Sequence, residues 1–300
     1  IVGLGIPAKM VEVRATVDQT NSAIQPTVVG GYVEGLRENS LAMKAGVRVL
    51  NGLTADYKIP IVGANSVSWA TSENSAASDG GAQFTSTTLN PTRVTGYVDI
   101  SNRLLLQNGD DPLREVMKDL GAATSELIDA AMFSTASVTN APGSIAATSG
   151  VGTFTEIPTW VVAQSVVRDM LVAEQTALGN KANLNGASYI AATNLLYDIK
   201  QSPLVSGVSS AAPDAKFGMA IVNGYPCYFS TAATKSAGVS GDFLFGNFGS
   251  VYLGLFGGID LIRDPYSALL NDETRVVLHR HLDFAAPRGA QFVKATSLIA

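Results

Sequence analysis

Charge is scarce in this chain of 300 residues: Asp, Glu, Lys and Arg together make up 15% of it, against roughly 25% in an average soluble domain. Gly, Ala, Ser and Thr take the missing places. Apolar residues reach 46%, so the chain is not a disordered one. A surface this poor in charge asks to be covered, most simply by other copies of the same chain. The net charge is −5 and there is no basic run, which excludes tight, sequence-independent binding of nucleic acid through a basic face. Cysteine occurs once, as Cys227, so no disulfide forms within the chain and a reducing compartment suits it. Long apolar runs are missing too. The best candidate, Phe243 to Ile259, carries five glycines with Asn247 and Ser250, and falls short of the roughly 20 residues a membrane span needs. It reads as sheet and turn, and no membrane is expected. No secretory signal pattern is visible. The chain starts at Ile1 without Met, and the expectation is that Ile1 is not the translated start.

What is present reads as α+β without a periodic repeat. Residues 1 to about 30 lack a period and read as an extended arm. Thr54 to Ser101 reads as one long hairpin, with Tyr57 to Val62 outgoing and a return strand in which Val94, Gly96, Val98 and Ile100 alternate with Arg93, Thr95, Tyr97 and Asp99. Between Gly63 and Thr92 its large apolar groups are Val67, Trp69, Phe84 and Leu89. A hairpin so poor in apolar side chains persists only on another surface. Asp110-Asp111-Pro112 starts a helix, with Asp111 as cap. Leu113, Val116, Met117, Leu120, Leu127, Ile128 and Ala131 continue it to about Phe133 as a single apolar stripe.

Beyond that helix, Ala130 to Thr155 is an uncharged loop region, and Pro158 to about Ala177 is a second amphipathic helix. Ser188 to Ala192 is a buried strand and Asn194 to Gln201 a short helix. Two strands flank Asn223-Gly224, and Asp242 to Asp264 is a pair of strands punctuated by glycine. Thr274 to Phe284 and Gln291 to Ser297 form a closing hairpin around Ala286-Pro287-Arg288-Gly289.

Catalytic signatures are scarce. His279, His281 and Asp283 share one face of a strand, and two imidazoles with a carboxylate are a zinc-binding set. The run echoes the His-x-His-x-Asp-His pattern of metallo-β-lactamase-like hydrolases. However, Phe284 stands where the last His belongs, and no His follows. The plainer reading is a polar strand edge facing solvent or a subunit. No Gly-x-Ser-x-Gly elbow or Gly-Lys-Ser/Thr loop occurs, and Gly3-x-Gly5 does not extend to a dinucleotide fingerprint. Cys227, within Pro226-Cys227-Tyr228-Phe229, reads as a buried inert thiol. Capping accounts for Asp110 and Asp111 better than acid–base work. No cofactor and no enzymatic activity are expected.

The order of these elements resembles the major capsid proteins of tailed bacteriophages with the Hong Kong 97 fold. The resemblance is carried by Tyr57 to Ser101, Asp110-Asp111-Pro112-Leu113, Phe243 to Phe248, and Gly257-Gly258-Ile259-Asp260. It continues through Thr274 to Leu278 and Gly289 to Lys294. It spans about residues 27 to 298 and implies a division into an N-terminal arm (1–30), an extended loop (54–101), an axial domain (136–254) and a peripheral domain with a spine helix (31–53, 102–135 and 255–300). It further implies hexamers and pentamers in an icosahedral virion head around double-stranded DNA, assembled in the bacterial host cytoplasm. Contacts between subunits would run through the loop and spine helix at Trp69, Phe84, Arg93, Arg103, Arg114 and Lys118. The implied partners are a portal, a scaffold or maturation protease, a decoration protein, and packaged DNA touched non-specifically. Some members cross-link a loop Lys to a neighbour's Asn, but no Lys lies between Ile59 and Thr92 here. An encapsulin-like nanocompartment shell and a metal-dependent hydrolase are the alternatives, with a secreted adhesin behind them.

Overall fold

The described residues form three sheets, a two-stranded hairpin and two larger sheets between which the chain passes three times. The computed structural model describes residues 40–299 except 82, 109–110, 136–137, 156–161, 197–198, 200–218 and 234–239. The N-terminal arm and Asp110 lie outside the described residues, as do Tyr197, Asp198, Lys200 and Gln201 of the short helix expected from Asn194 to Gln201.

The four-stranded sheet has the order β1 (Arg48–Leu53), β10 (Tyr252–Asp264), β11 (Glu273–Ala285), β4 (Thr92–Ser101). β4 alternates as its sequence demands, with Ile100 buried and Arg93, Thr95, Tyr97 and Asp99 exposed. Its partner, however, is β11 rather than the outgoing strand of the loop: Asp99 stands opposite Arg275 and Thr95 opposite His279. The hairpin is therefore shorter than the sequence suggested. β2 (Tyr57–Val62) pairs with β3 (Phe84–Leu89), and Val62 faces Phe84 across the ladder. β3, Phe-Thr-Ser-Thr-Thr-Leu, alternates too weakly to announce itself as a strand.

One face of the four-stranded sheet is covered by α3 (Asp111–Phe133), which follows the short α2 (Asn102–Asn108). α3 is about 35 Å long at 1.5 Å per residue. Its first half seats Leu113 against Ile100 and Val276. Its second half carries Ile128, Ala131, Met132 and Phe133 into the larger core. Leu127, which falls on the same period, instead stays about half exposed. Asp111 is the first helical residue rather than the cap.

The six-stranded sheet has the order β5 (Gly152–Thr155), β12 (Phe292–Ile299), β9 (Ser240–Gly246), β6 (Ser188–Ala191), β8 (Tyr225–Phe229), β7 (Met219–Val222). α4 (Val162–Gly179) packs on it through Met170, Ala173 and Ala177. Tyr189 is the centre of its aromatic cluster, with ring centroids 4.4 Å from Phe245 and 5.8 Å from Phe243. The Tyr189 hydroxyl donates to the Glu174 carboxylate at 2.5 Å, and burial together with that acid pushes its pKa up. β7 and β8 turn at Asn223-Gly224, both at positive φ (52° and 86°), the two-residue turn expected for this dipeptide.

The expected closing hairpin is a sheet change instead. β11 belongs to the four-stranded sheet and β12 to the six-stranded one, where β12 pairs with β5 and β9. β9 and β10 are likewise a strand from each sheet, joined by a turn at Phe248–Ser250. Both crossings are tight enough to require glycine. A Cβ on Gly246 would lie 2.4 Å from the Phe292 ring, and one on Gly289 would lie 2.2 Å from the Ser149 carbonyl oxygen. A short helix, α1 (Leu41–Lys44), precedes β1.

Candidate assembly surfaces

Burial falls steeply along the β2–β3 hairpin. At its root Ile59 and Leu89 are buried against Phe256. Further out Val62 is 51% exposed and Phe84 74%, and towards the tip Val67 and Trp69 reach 96% and 98%. Beyond the regular strands sparse hydrogen bonds zip the two arms together. The Gly63 N–H donates to the Gln83 carbonyl at 2.8 Å and the Ser66 N–H to the Gly80 carbonyl at 2.9 Å. The Ser68 and Ser78 hydroxyls meet at 2.6 Å. At the turn, the Ser75 hydroxyl donates to the Ser72 carbonyl at 2.9 Å. A backbone without an apolar face is thus held in shape by its own serines, and its aromatic residues are left in solvent.

A second apolar surface lies at the β10–β11 connection and escapes sequence reasoning. Tyr266, Leu269 and Leu270 are 81%, 64% and 102% exposed, and Leu106 of α2 is 87% exposed. Asp264 stiffens the connection by accepting the Tyr266 N–H at 2.8 Å and the Ser267 hydroxyl. Those bonds, the backbone ones included, hold the Asp264 carboxyl below the usual carboxylate range. Asn102 ties α2 to the same connection through Asp272 at 2.9 Å. The available sequence signal was leucine and tyrosine in a stretch opened by Asp264-Pro265, where a turn normally carries polar side chains.

The remaining residues singled out from sequence do not converge on one site. Arg93 is exposed on β4 and lines a cavity of about 230 Å³ with Leu127, Val138 and Pro142. Arg103 is exposed on α2. Arg114 and Lys118 are exposed one turn apart on α3.

His279, His281 and Asp283 do share a face, but β11 is an interior strand and not an edge. His279 hydrogen-bonds the Thr95 hydroxyl through Nδ1 at 2.9 Å, and His281 stands opposite Arg93. Asp283 accepts the Asn90 and Phe284 N–H groups, each at 2.7 Å, while burial pushes its carboxyl up. Hydroxyl, cation and backbone neighbours thus engage this face. Among the described residues no group of three or more His, Cys, Asp or Glu is placed to hold a metal ion. Cys227 is fully buried in β8, and burial pushes its thiol up. No described helix is long and apolar enough to cross a membrane.

A cavity of about 430 Å³ opens beside the hairpin root, lined by Ile59 to Val62 of β2 with Arg48, Arg288, Asn183, Asn247 and Gln291 among others. Arg48 reaches the Tyr252 hydroxyl at 3.4 Å, and Arg288 reaches the Val62 carbonyl at 3.4 Å.

The phage capsid family matches residues 21–297 of this chain. No curated protein matches it. Among solved structures, a chain of the capsid of a native GTA particle is similar at TM-score 0.71 and 14% identity, over 93% of this chain and 97% of that one. A chain from Mycobacterium phage Bobi gives 0.70 at 14% identity, over 92% and 96%. One from Gordonia phage Cozz gives 0.68 at 15% identity, over 91% of each chain. At these identities the likeness is one of fold.

Proposed function

The chain belongs to the phage capsid family, whose members are shell proteins of the virion head and not enzymes, and from that premise we propose that it builds hexamers and pentamers of an icosahedral head around double-stranded DNA. Its fold is the Hong Kong 97-type capsid fold, and capsid membership carries self-association with it. The finer reading rests above all on the hairpin. Trp69 at 98% exposure, on a serine-zipped ribbon with no core beyond its root, is a side chain made for another subunit. The exposed connection at Tyr266 to Leu270 supports a further contact between copies.

In this reading the hairpin lies on a neighbour without a covalent bond, because residues 59 to 92 offer no Lys for an isopeptide link. Trp69 and Phe84 are its anchors, and Arg93, Arg103, Arg114 and Lys118 bear on neighbouring copies from the sheet and helices. The peripheral domain of this reading (31–53, 102–135 and 255–300) takes in α3 and most of the four-stranded sheet, and its axial domain (136–254) takes in most of the six-stranded sheet. A net charge of −5 suits a container whose wall must not bind its DNA. Portal, scaffold or protease, and decoration protein complete the set of partners the reading calls for. Sedimentation and electron microscopy of native protein are expected to show megadalton particles with hexameric and pentameric units. A stable monomer at micromolar concentration and physiological salt would overturn it.

A further inference from the structure

The cavity at the hairpin root is positively charged in a negatively charged protein. Arg48 and Arg288 line it, and none of its lining residues is acidic. Both arginines are exposed, and neither makes an ion pair among the described residues. The Oε1 of Gln291 is buried without a hydrogen-bond partner. Two guanidiniums and an unfilled acceptor call for a carboxylate accompanied by a donor.

That combination occurs at the hairpin tip. Between Gly63 and Thr92 the charged residues are Glu73 and Asp79, both acidic. Asp79 already accepts the Gly81 N–H at 3.0 Å. Glu73 is exposed, holds no hydrogen bond or ion pair among the described residues, and sits in the turn that Ser75 braces. Asn74 beside it carries the amide donor that Gln291 lacks.

Glu73 cannot reach the arginines of its own chain. Val62 to Glu73 covers up to about 35 Å when extended, and the cross-hairpin bonds at Gly63, Ser66 and Ser68 prevent it from doubling back. Tip and root are therefore complementary only between chains. A tip-to-root contact is heterologous, and repeated with a rotation that closes it generates a ring. Accordingly, we propose that Glu73 of one subunit enters the cavity of the next and pairs with its Arg48 and Arg288, so that each hairpin is both plug and socket. The proposal rests on the shell reading and names the residues that join neighbouring subunits in a ring.

The test is charge reversal followed by trapping. Glu73→Arg, and separately the double variant Arg48→Glu with Arg288→Glu, are expected to raise the concentration needed for assembly on the order of tenfold or more. Combining all three changes is expected to recover most of that loss. All three positions are exposed, so folding is checked by circular dichroism and should not change. In parallel, Glu73→Cys with Arg288→Cys in assembled particles, oxidised with copper phenanthroline, should give covalent multimers that a reductant collapses to monomer. Buried Cys227 leaves a clean background. Particles that assemble normally with the reversed charges and yield no multimers overturn the pairing and leave the shell reading intact. Wild-type protein that never assembles overturns the shell reading instead. Protection of Arg48 and Arg288 from phenylglyoxal only in DNA-filled particles would assign the cavity to phosphate and also overturn the pairing.

Discussion

Asp129, in the last third of the long helix, accepts the backbone N–H of Leu41 at 2.6 Å and that of Ala42 at 3.1 Å. It is 4% exposed and serves as the missing cap of α1, whose own Ser40 makes no side-chain cap bond. Leu41 and Ala42 are thus fastened to the long helix by a buried carboxylate. Asp129→Ala removes the acceptor and leaves two buried donors unsatisfied, a loss of about 3 kcal/mol. Urea unfolding of the unassembled subunit should show it. Asp129→Asn, which keeps one acceptor oxygen, should lose less.

Gly289 is a sharper test of the sheet change between β11 and β12. An added methyl would meet the Ser149 carbonyl at 2.2 Å and two further backbone atoms at 3.1 Å. None of these is the free end of a side chain that can swing away. Gly289→Ala is expected to destabilise the subunit by about 2–3 kcal/mol. Gly121→Ala, on α3 where an added Cβ meets nothing within 4 Å, should stabilise or leave stability unchanged. Parallel thermal melts of the two variants check the contrast.

These two sites mark what the sequence could and could not reveal. The long helix was legible because Leu113, Val116, Met117 and Leu120 repeat at 3.6 residues, and β4 because Val94 to Ile100 alternates; both patterns are local. The Asn223-Gly224 turn was legible because few dipeptides tolerate two positive φ angles. Pairing between distant strands has no such local mark. That β4 meets β11, and that β12 joins β5 and β9, depends on contacts far apart in sequence. Composition also revealed how little apolar side chain the hairpin has for a core of its own, and Val67, Trp69 and Phe84 are exposed on it. The charges of Arg48 and Arg288 meet only once the fold brings β1 beside the crossing after β11, so no spacing announced that cavity.

The four-stranded sheet predicts a pH effect of definite sign. Arg275 forms two bonds to Asp99, at 2.7 and 2.8 Å, and lies 4.4 Å over the Tyr97 ring. The hydrogen bond from Arg275 holds the Asp99 carboxyl below its usual range. A carboxylate with a lower pKa in the folded state stabilises the fold above its unfolded pKa, and loses that contribution as pH falls through the folded one. Asp99→Asn should therefore lower the urea midpoint at neutral pH and match wild type in strong acid. High salt should narrow the neutral gap, because the pair is exposed. A gap that persists undiminished in acid would exclude the ion pair as its cause.

Trp69 and Phe84 separate folding from assembly. Both are exposed in the single subunit, at 98% and 74%, so replacing either with Ala should change subunit stability by no more than about 0.5 kcal/mol. In a shell each aromatic would bury on the order of 150–250 Å², and its loss would cost roughly 3 kcal/mol at every copy of the contact. The double variant Trp69→Ala, Phe84→Ala should unfold in urea like wild type yet yield no particles, or particles that break on dilution. Normal particles from it would remove the hairpin from the assembly contact. Because residues 59 to 92 contain no Lys, boiled wild-type particles should run as a single uncross-linked chain in a denaturing gel. A ladder of covalent multimers in that lane, formed without added oxidant, would show that the hairpin's neighbours are joined by chemistry other than packing.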